Sequence, residues 1–442
     1  MLPDALPARP AGFDEVQAVA DGLDDALVHG LARLDDERVA ALEAVAAAFD
    51  SSPLAGRAAE AVGKIVAGTV TDEHLAVLAG CRVALLGAAH DALVAGLDAA
   101  TGRVREPWPA PAGPAESSHL TAGSRSWLRE LAIAGWRGVD HELAAGGAAA
   151  VRALLAEPSG RRLAVLLDGF AAELRATAPV ATLPRVPVRR WADLWTRALM
   201  LSQDGLPAAP SAPAAGRLLI LGADLHEHPT VFRCQVHGLL ETGTGVRLVR
   251  TSVAAAKVDT ISGPSAWRML GAFPILLSAL AEHRSVEVSG MTLTAGGDLI
   301  WDESRAAPGE PADPFTTARV LLAGAVASST APLDRHPAAI AEPVLLEGGG
   351  FEVDAGRLPA AGPLTAELVA AAGAVLGLLR FDGDRWVVQP LAVQATVRKK
   401  PVTVHTGDWA LGPTDAKAAK AEAAAGGAVE VLRERAGRLL RK

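Results

Sequence analysis

Through the first hundred residues the apolar positions recur at helical spacing. Phe13, Val16, Val19, Ala20 and Leu23 form one stripe, and Val39, Leu42, Val45, Ala46 and Phe49 form the next. Pro53, Gly68 and a capping-type start at Thr71 break this region, 13–100, into separate helices. A second helical region, 124–204, carries Trp127, Leu128, Leu131 and Trp136, and then Leu163, Leu166, Leu167, Phe170 and Leu174 on a single face. Near its end Trp191, Leu194, Trp195 and Ala198 align, which predicts core packing rather than a ligand cage. The Pro-rich stretch between the two regions, 101–123, reads as an extended connector.

After residue 216 the period changes from 3.6 to 2. Residues 217–253 predict three strands, separated by turn clusters at 226–229 and 242–245. Phe232, Cys234 and Val236 share one face of the middle strand, while Arg233, Gln235 and His237 share the other. A helix over 262–283 and two short strands, 286–293 and 298–301, complete the pattern. Three strands, a helix and two strands is the element order of an OB-like barrel, here 217–303. The following stretch, 304–411, predicts an α+β extension. It has helices at 314–326 and 364–379, a strand pair at 344–353, and a hairpin at 379–389 turning on Asp382-Gly383, with further strand at 393–405. Residues 205–216, GLPAAPSAPAAG, show no apolar period and read as a linker. The fold class expected is therefore α+β and multidomain, with an all-α N-terminal half and an OB-like C-terminal half. Cleavage in the linker is expected to release two folded pieces.

The tail, 412–442, predicts an amphipathic helix. Val429, Leu432, Ala436 and Leu439 form an apolar seam, flanked by Arg433, Arg435, Arg438, Arg441 and Lys442. The seam either packs on its own domain or docks in a groove of another protein, as amphipathic helices do. Its position after Gly426-Gly427 and its basic end favour the second, with Val429, Leu432, Ala436, Leu439, Arg433 and Arg438 as the partner-binding set.

Charge adds to this picture. The 442-residue chain has a formal net charge of −8, which argues against nonspecific attraction to nucleic acid or anionic membrane. The first hundred residues hold 16 acidic against 6 basic side chains, and the next hundred 13 basic against 9 acidic. Opposite signs predict that the two helical regions face each other or face different partners. Two cysteines cannot make a disulfide framework or a Cys-rich zinc site. No signal peptide is evident, and the apolar runs fall short of the ~20 residues a membrane span needs, so a cytoplasmic protein without membrane contact is expected.

Candidate chemistry is sparse. His226, His228, Cys234 and His237 are ligand types within a short span, but Cys234 and His237 have opposite strand parity, so no metal is expected. Asp298, Asp302, Glu303, Glu310 and Asp313 read as a solvated loop rather than a cation site. The glycines near Lys64, at 243–245 and at 348–350 lack the spacing or the following helix of a phosphate loop. Ser265 lacks the glycine that a nucleophile elbow needs. No nucleophile–base set is assembled, so neither catalytic residues nor cofactors are expected. A nucleic-acid reading of the barrel would use Arg233, Arg247 and Arg250. The barrel region is slightly acidic, however, and Phe232 has the parity of the buried face, so packing is favoured.

The segments SWLRELAIAGWRGVDHEL, RRWADLWTRALMLSQ and ADLHEHPTVFRCQVHGLLE resemble an actinobacterial family. That family is associated with genes for MoxR-type AAA+ ATPases, von Willebrand A proteins and SWIM zinc-finger proteins. Its motifs carry no known catalytic residue. The resemblance implies a protein partner within a multi-protein system, such as an AAA+ ATPase or a von Willebrand A protein. The expected function is a non-catalytic adaptor or accessory subunit. A nucleic-acid-binding barrel is the alternative, and an enzyme with an unrecognised site the third.

Overall fold

The computed structural model describes residues 9–109, 119–203, 210–348, 352–416, 418–420, 423 and 434. The tail seam of Val429, Leu432, Arg433, Ala436, Arg438 and Leu439 lies outside the described residues, as does 205–209 of the expected linker.

The N-terminal half is all-helical. Its longest element, Asp72–Thr101, starts where Thr71 Oγ1 accepts the His74 amide at 3.3 Å and ends at Gly102, whose left-handed φ of 66° stops the helix. Phe13–His29, Ala55–Val66 and Val188–Leu201 pack around it. The tryptophan stripe is core: Trp136, Trp191 and Trp195 are fully buried and meet edge to face, and Trp195 Nε1 donates to the Leu128 carbonyl at 2.9 Å. The acidic and basic blocks do face each other. Arg189 pairs with Asp21 at 2.9 Å and Arg129 with Asp72 at 3.0 Å. Asp72–Thr101 is long and apolar enough, by length and composition, to cross a membrane, but 61% of its apolar window is buried inside this fold.

The C-terminal half consists of two antiparallel sheets. β1 (Ser211–His228) pairs with both β2 (Val231–Thr242) and β4 (Arg284–Thr294). β2 pairs with β3 (Gly245–Ala256), and β4 pairs with β5 (Leu299–Ile300). A parallel bridge from Arg250 to Asp298 draws β3 towards β5, so this sheet is nearly closed and barrel-like. β6 (Ala306–Pro311) adds to β4. Phe232, Cys234, Val236, Trp267 and Leu276 fill the interior, with Phe232 and Trp267 edge to face at 5.4 Å. The second sheet runs in the order β10 (Lys400–His405), β9 (Arg385–Val397), β8 (Ala372–Asp382), β7 (Glu342–Glu347). It covers the outer face of the barrel, where Leu219, Leu221, Leu239 and Leu248 meet Phe315, Leu376 and Ala392. Contact is close enough that a Cβ on Gly222 would lie 2.7 Å from Leu391 Cβ.

Three sequence expectations need correction. Residues 211–216 are not linker but the start of β1, paired with β4 from Ser211↔Thr294 to Gly216↔Val288. The expected helix at 262–283 is a 3₁₀ segment, Gly263–Leu270, followed by a short α-helix, Pro274–Ala281. Proline at the first helical position forces the new start. The expected helix at 364–379 is one turn, Ala366–Ala370, and then strand β8. β8 is apolar on both faces because Ala374 and Leu376 meet the barrel while Val375 and Leu379 meet Leu97 of the long helix. Burial on both sides erases the period of two.

That last contact is part of a wider apolar junction between the two halves. Leu97 packs with Val344, Val375 and Leu379, and Phe13, Leu93 and Val94 pack with Ile340 and Phe381. The Phe13 and Phe381 rings stand edge to face at 5.3 Å. Fragments 1–203 and 210–442 are therefore predicted to aggregate when produced alone and to co-purify as a complex when co-expressed. Two soluble, separately folded fragments in size-exclusion chromatography would contradict the shared core.

Candidate functional site

Polar side chains concentrate where the long helix, the barrel and the second sheet meet. Glu342, at the start of β7, is 15% exposed and accepts from Arg103 Nη1 at 2.9 Å and Arg105 Nη1 at 3.2 Å. Both arginines follow directly on the long helix. Arg105 also grips Asp98 through Nε and Nη2 at 2.7 and 2.9 Å, and Arg103 Nη2 donates to the Pro343 carbonyl at 2.8 Å. Burial pushes the Glu342 carboxyl up, but Arg105 and Arg103 outweigh it and hold the group below its ordinary range. The connector is then stitched to the barrel. The Glu106 amide donates to Ala327, the Val326 amide donates to Val246, and Arg247 pairs with Glu106.

A second cluster lies between the barrel and β8–β9. Asp224, 2% exposed, accepts from Gln389 Nε2 at 2.6 Å, Arg380 Nη2 at 2.9 Å and His226 Nε2 at 3.0 Å. Burial raises this carboxyl, yet His226, Arg380 and Gln389 together bring it down to about 2. Beside it His237 is buried with no partner for Nε2, and burial pushes its imidazole down to about 4. His405 is likewise buried with Nε2 unpartnered and is pushed down to about 4, by burial and then by neighbouring His283.

The residues singled out from sequence scatter. Arg233 and Arg250 lie on the outer face of the barrel, whereas Arg247 has the opposite parity. Arg247 lines an open cleft of about 560 Å³ at the barrel end, with Glu106, Thr244 and Thr294. Arg250 forks onto Asp298, with one arm at 3.2 Å. Arg233 is exposed and donates to Ser252 Oγ at 3.1 Å and Gln235 Oε1 at 3.2 Å. Cys234 points into the barrel, where burial pushes its thiol up, while His228 bonds Thr230 and His226 bonds Asp224. Among the described residues no group of three His, Cys, Asp or Glu side chains is placed to hold a metal. The acidic loop also disperses. Asp298 serves Arg250, Asp302 and Asp313 accept local amides, and Glu303 accepts from Trp301.

One further feature is backbone. Residues 252, 254 and 256 of β3 are exposed, and among the described residues their amides have no backbone partner. Sequence reading missed this open edge as well as Asp98, Arg103, Arg105, Asp224, Glu342, Arg380 and Gln389. The one sequence signal for the side chains was a lone charge inside an apolar run, as at Asp224 and Arg380.

For His237 and His405 the folded state favours the neutral imidazole. Stability is complete above the ordinary value of 6.5 and is lost as pH falls towards about 4. Denaturant unfolding is predicted to show a loss of about 2 kcal/mol per imidazole between pH 7 and pH 5. His237→Gln should remove its own share of that loss, about 2 kcal/mol, and an unchanged pH slope in this variant would refute the assignment. No protein-family model matches the chain, and no curated protein or solved structure does either.

Proposed function

We propose that the chain is a non-catalytic adaptor, an accessory subunit that holds a protein partner on its barrel. The observation carrying this reading is the exposed backbone edge at 252–256, whose outward amides have no backbone partner among the described residues. The clustered charges are paired with one another at the junctions between parts. Both cysteines are buried with thiols pushed up, which removes them as nucleophiles.

We read the barrel as OB-type. Its neighbours run β1-β2-β3-β5-β4-β1, with the connecting helical segment between β3 and β4, as that fold requires. OB barrels accept extended ligands across strands 2 and 3, which suits an adaptor and equally the nucleic-acid alternative. Against the alternative, Arg247 and Arg250 already hold carboxylates, and Phe232, the aromatic of β2, is buried in the interior. The resemblance noted above supports an AAA+ ATPase or von Willebrand A protein as partner.

Two measurements test the proposal. Mixed with an AAA+ ATPase and a von Willebrand A protein of the same genome, the full chain is predicted to form a stoichiometric complex in analytical ultracentrifugation. Failure to associate with either would remove that partner assignment. In fluorescence anisotropy a 20-nucleotide single strand should bind weakly and be released on raising salt to physiological strength. Tight binding at physiological salt, lost in Arg233→Glu, would favour the nucleic-acid reading.

A further inference from the structure

The β3 edge shows what kind of segment the barrel takes. In an antiparallel ladder, alternate residues turn their backbone groups to alternate sides. The β3 residues directed away from β2 are identified by their bonds. The Leu248 amide donates to Val326, the Val326 amide donates to Val246, and the Arg250 amide donates to Gly297. The same alternation turns the N–H and C=O of Ser252, Ala254 and Ala256 outward, beyond the point where those covering segments end. All three residues are exposed and small, so another backbone can approach to strand distance.

The β10 edge of the second sheet is guarded. In β10 the outward positions include Pro401, which has no N–H, and His405, whose amide is bonded to Asp408 Oδ2 at 2.9 Å. Arg398, Lys399 and Lys400 add positive charge at its turn. β3 has no such device between Ser252 and Ala256. Arg233 crosses from β2 and hydrogen-bonds Ser252 Oγ through Nη2 at 3.1 Å and Nε at 3.3 Å. Its guanidinium thus stands over the open edge, exposed and with no carboxylate partner among the described residues.

We infer that 252–256 is a docking strand for an extended peptide segment of a partner protein, added alongside β3, with an acidic side chain set against Arg233. This rests on the adaptor reading and gives that adaptor a recognition chemistry: main-chain hydrogen bonds for register and one carboxylate for selectivity.

The test uses the full chain and a phage-displayed library of random nine-residue peptides. The selection is expected to enrich peptides that alternate β-branched with acidic residues. Labelled copies should bind in anisotropy, with affinity falling at least tenfold in Ala254→Pro, which deletes an outward N–H without touching the β2 ladder. Should Ala254→Pro melt differently from the parent, Arg233→Glu decides instead. It should weaken acidic peptides tenfold or more and favour basic ones. Three results overturn the inference: no enriched peptide, enriched peptides indifferent to both substitutions, or a dimer of this chain that Ala254→Pro dissolves while no peptide binds. If the AAA+ ATPase or von Willebrand A protein associates equally with Ala254→Pro, the adaptor reading stands and the docking edge fails. If peptides bind but neither protein does, the edge stands and that partner assignment fails.

Discussion

A carboxylate sits where helices, barrel and second sheet meet, and the arrangement of the three depends on its arginines. Removing a charged carboxyl from water costs several kcal/mol unless it is paired and hydrogen-bonded. Glu342 therefore requires Arg103 and Arg105 to lie where they do, and Arg105 in turn requires Asp98 at the end of the long helix. The four groups make the connector at 103–106 part of the β half. Apolar contact completes what charge positions, through Leu97 against Leu379 and Phe13 against Phe381. The helical half is then not a domain hung on a tether but one wall of the core that the second sheet needs.

The same economy governs the barrel. Its outer face is covered by the second sheet near Gly222 and Leu391, and the Asp224 carboxylate caught between is satisfied by Arg380 and Gln389, while His237 Nε2 beside it has no partner. Further along β3 the cover stops. Segments at 297 and 326 pair with the strand as far as Arg250 and no further. A protein with one strand edge capped by proline and a carboxylate, and another left bare beneath an arginine, has a surface suited to an extended partner.

Much of the layout was legible in the sequence because its signals are local. Alternation around Phe232, Cys234 and Val236 marked β2, and Asp382-Gly383 marked the β8–β9 turn, with Gly383 at φ 68°. The tryptophan stripe announced the helical core. What was illegible depends on distant pairing. Residues 211–216 have the composition of a linker, and become strand because β4 lies beside them. β8 shows no period because both of its faces are buried. Arg103 and Glu342 stand 239 residues apart, and no local pattern connects them. The hint available was chemical: a single charge in an apolar strand, as with Asp224 or Arg380, requires an unseen partner.

Native-state hydrogen exchange on the full chain tests this account most directly. Amides around Leu97, Arg105 and Glu342 are predicted to exchange only with global unfolding, helices and sheets together, while those of Ser252, Ala254 and Ala256 exchange orders of magnitude faster. Sub-global opening that frees the junction amides while the sheets stay protected would contradict the single sealed body. Slow exchange at 252, 254 and 256 would contradict the open edge.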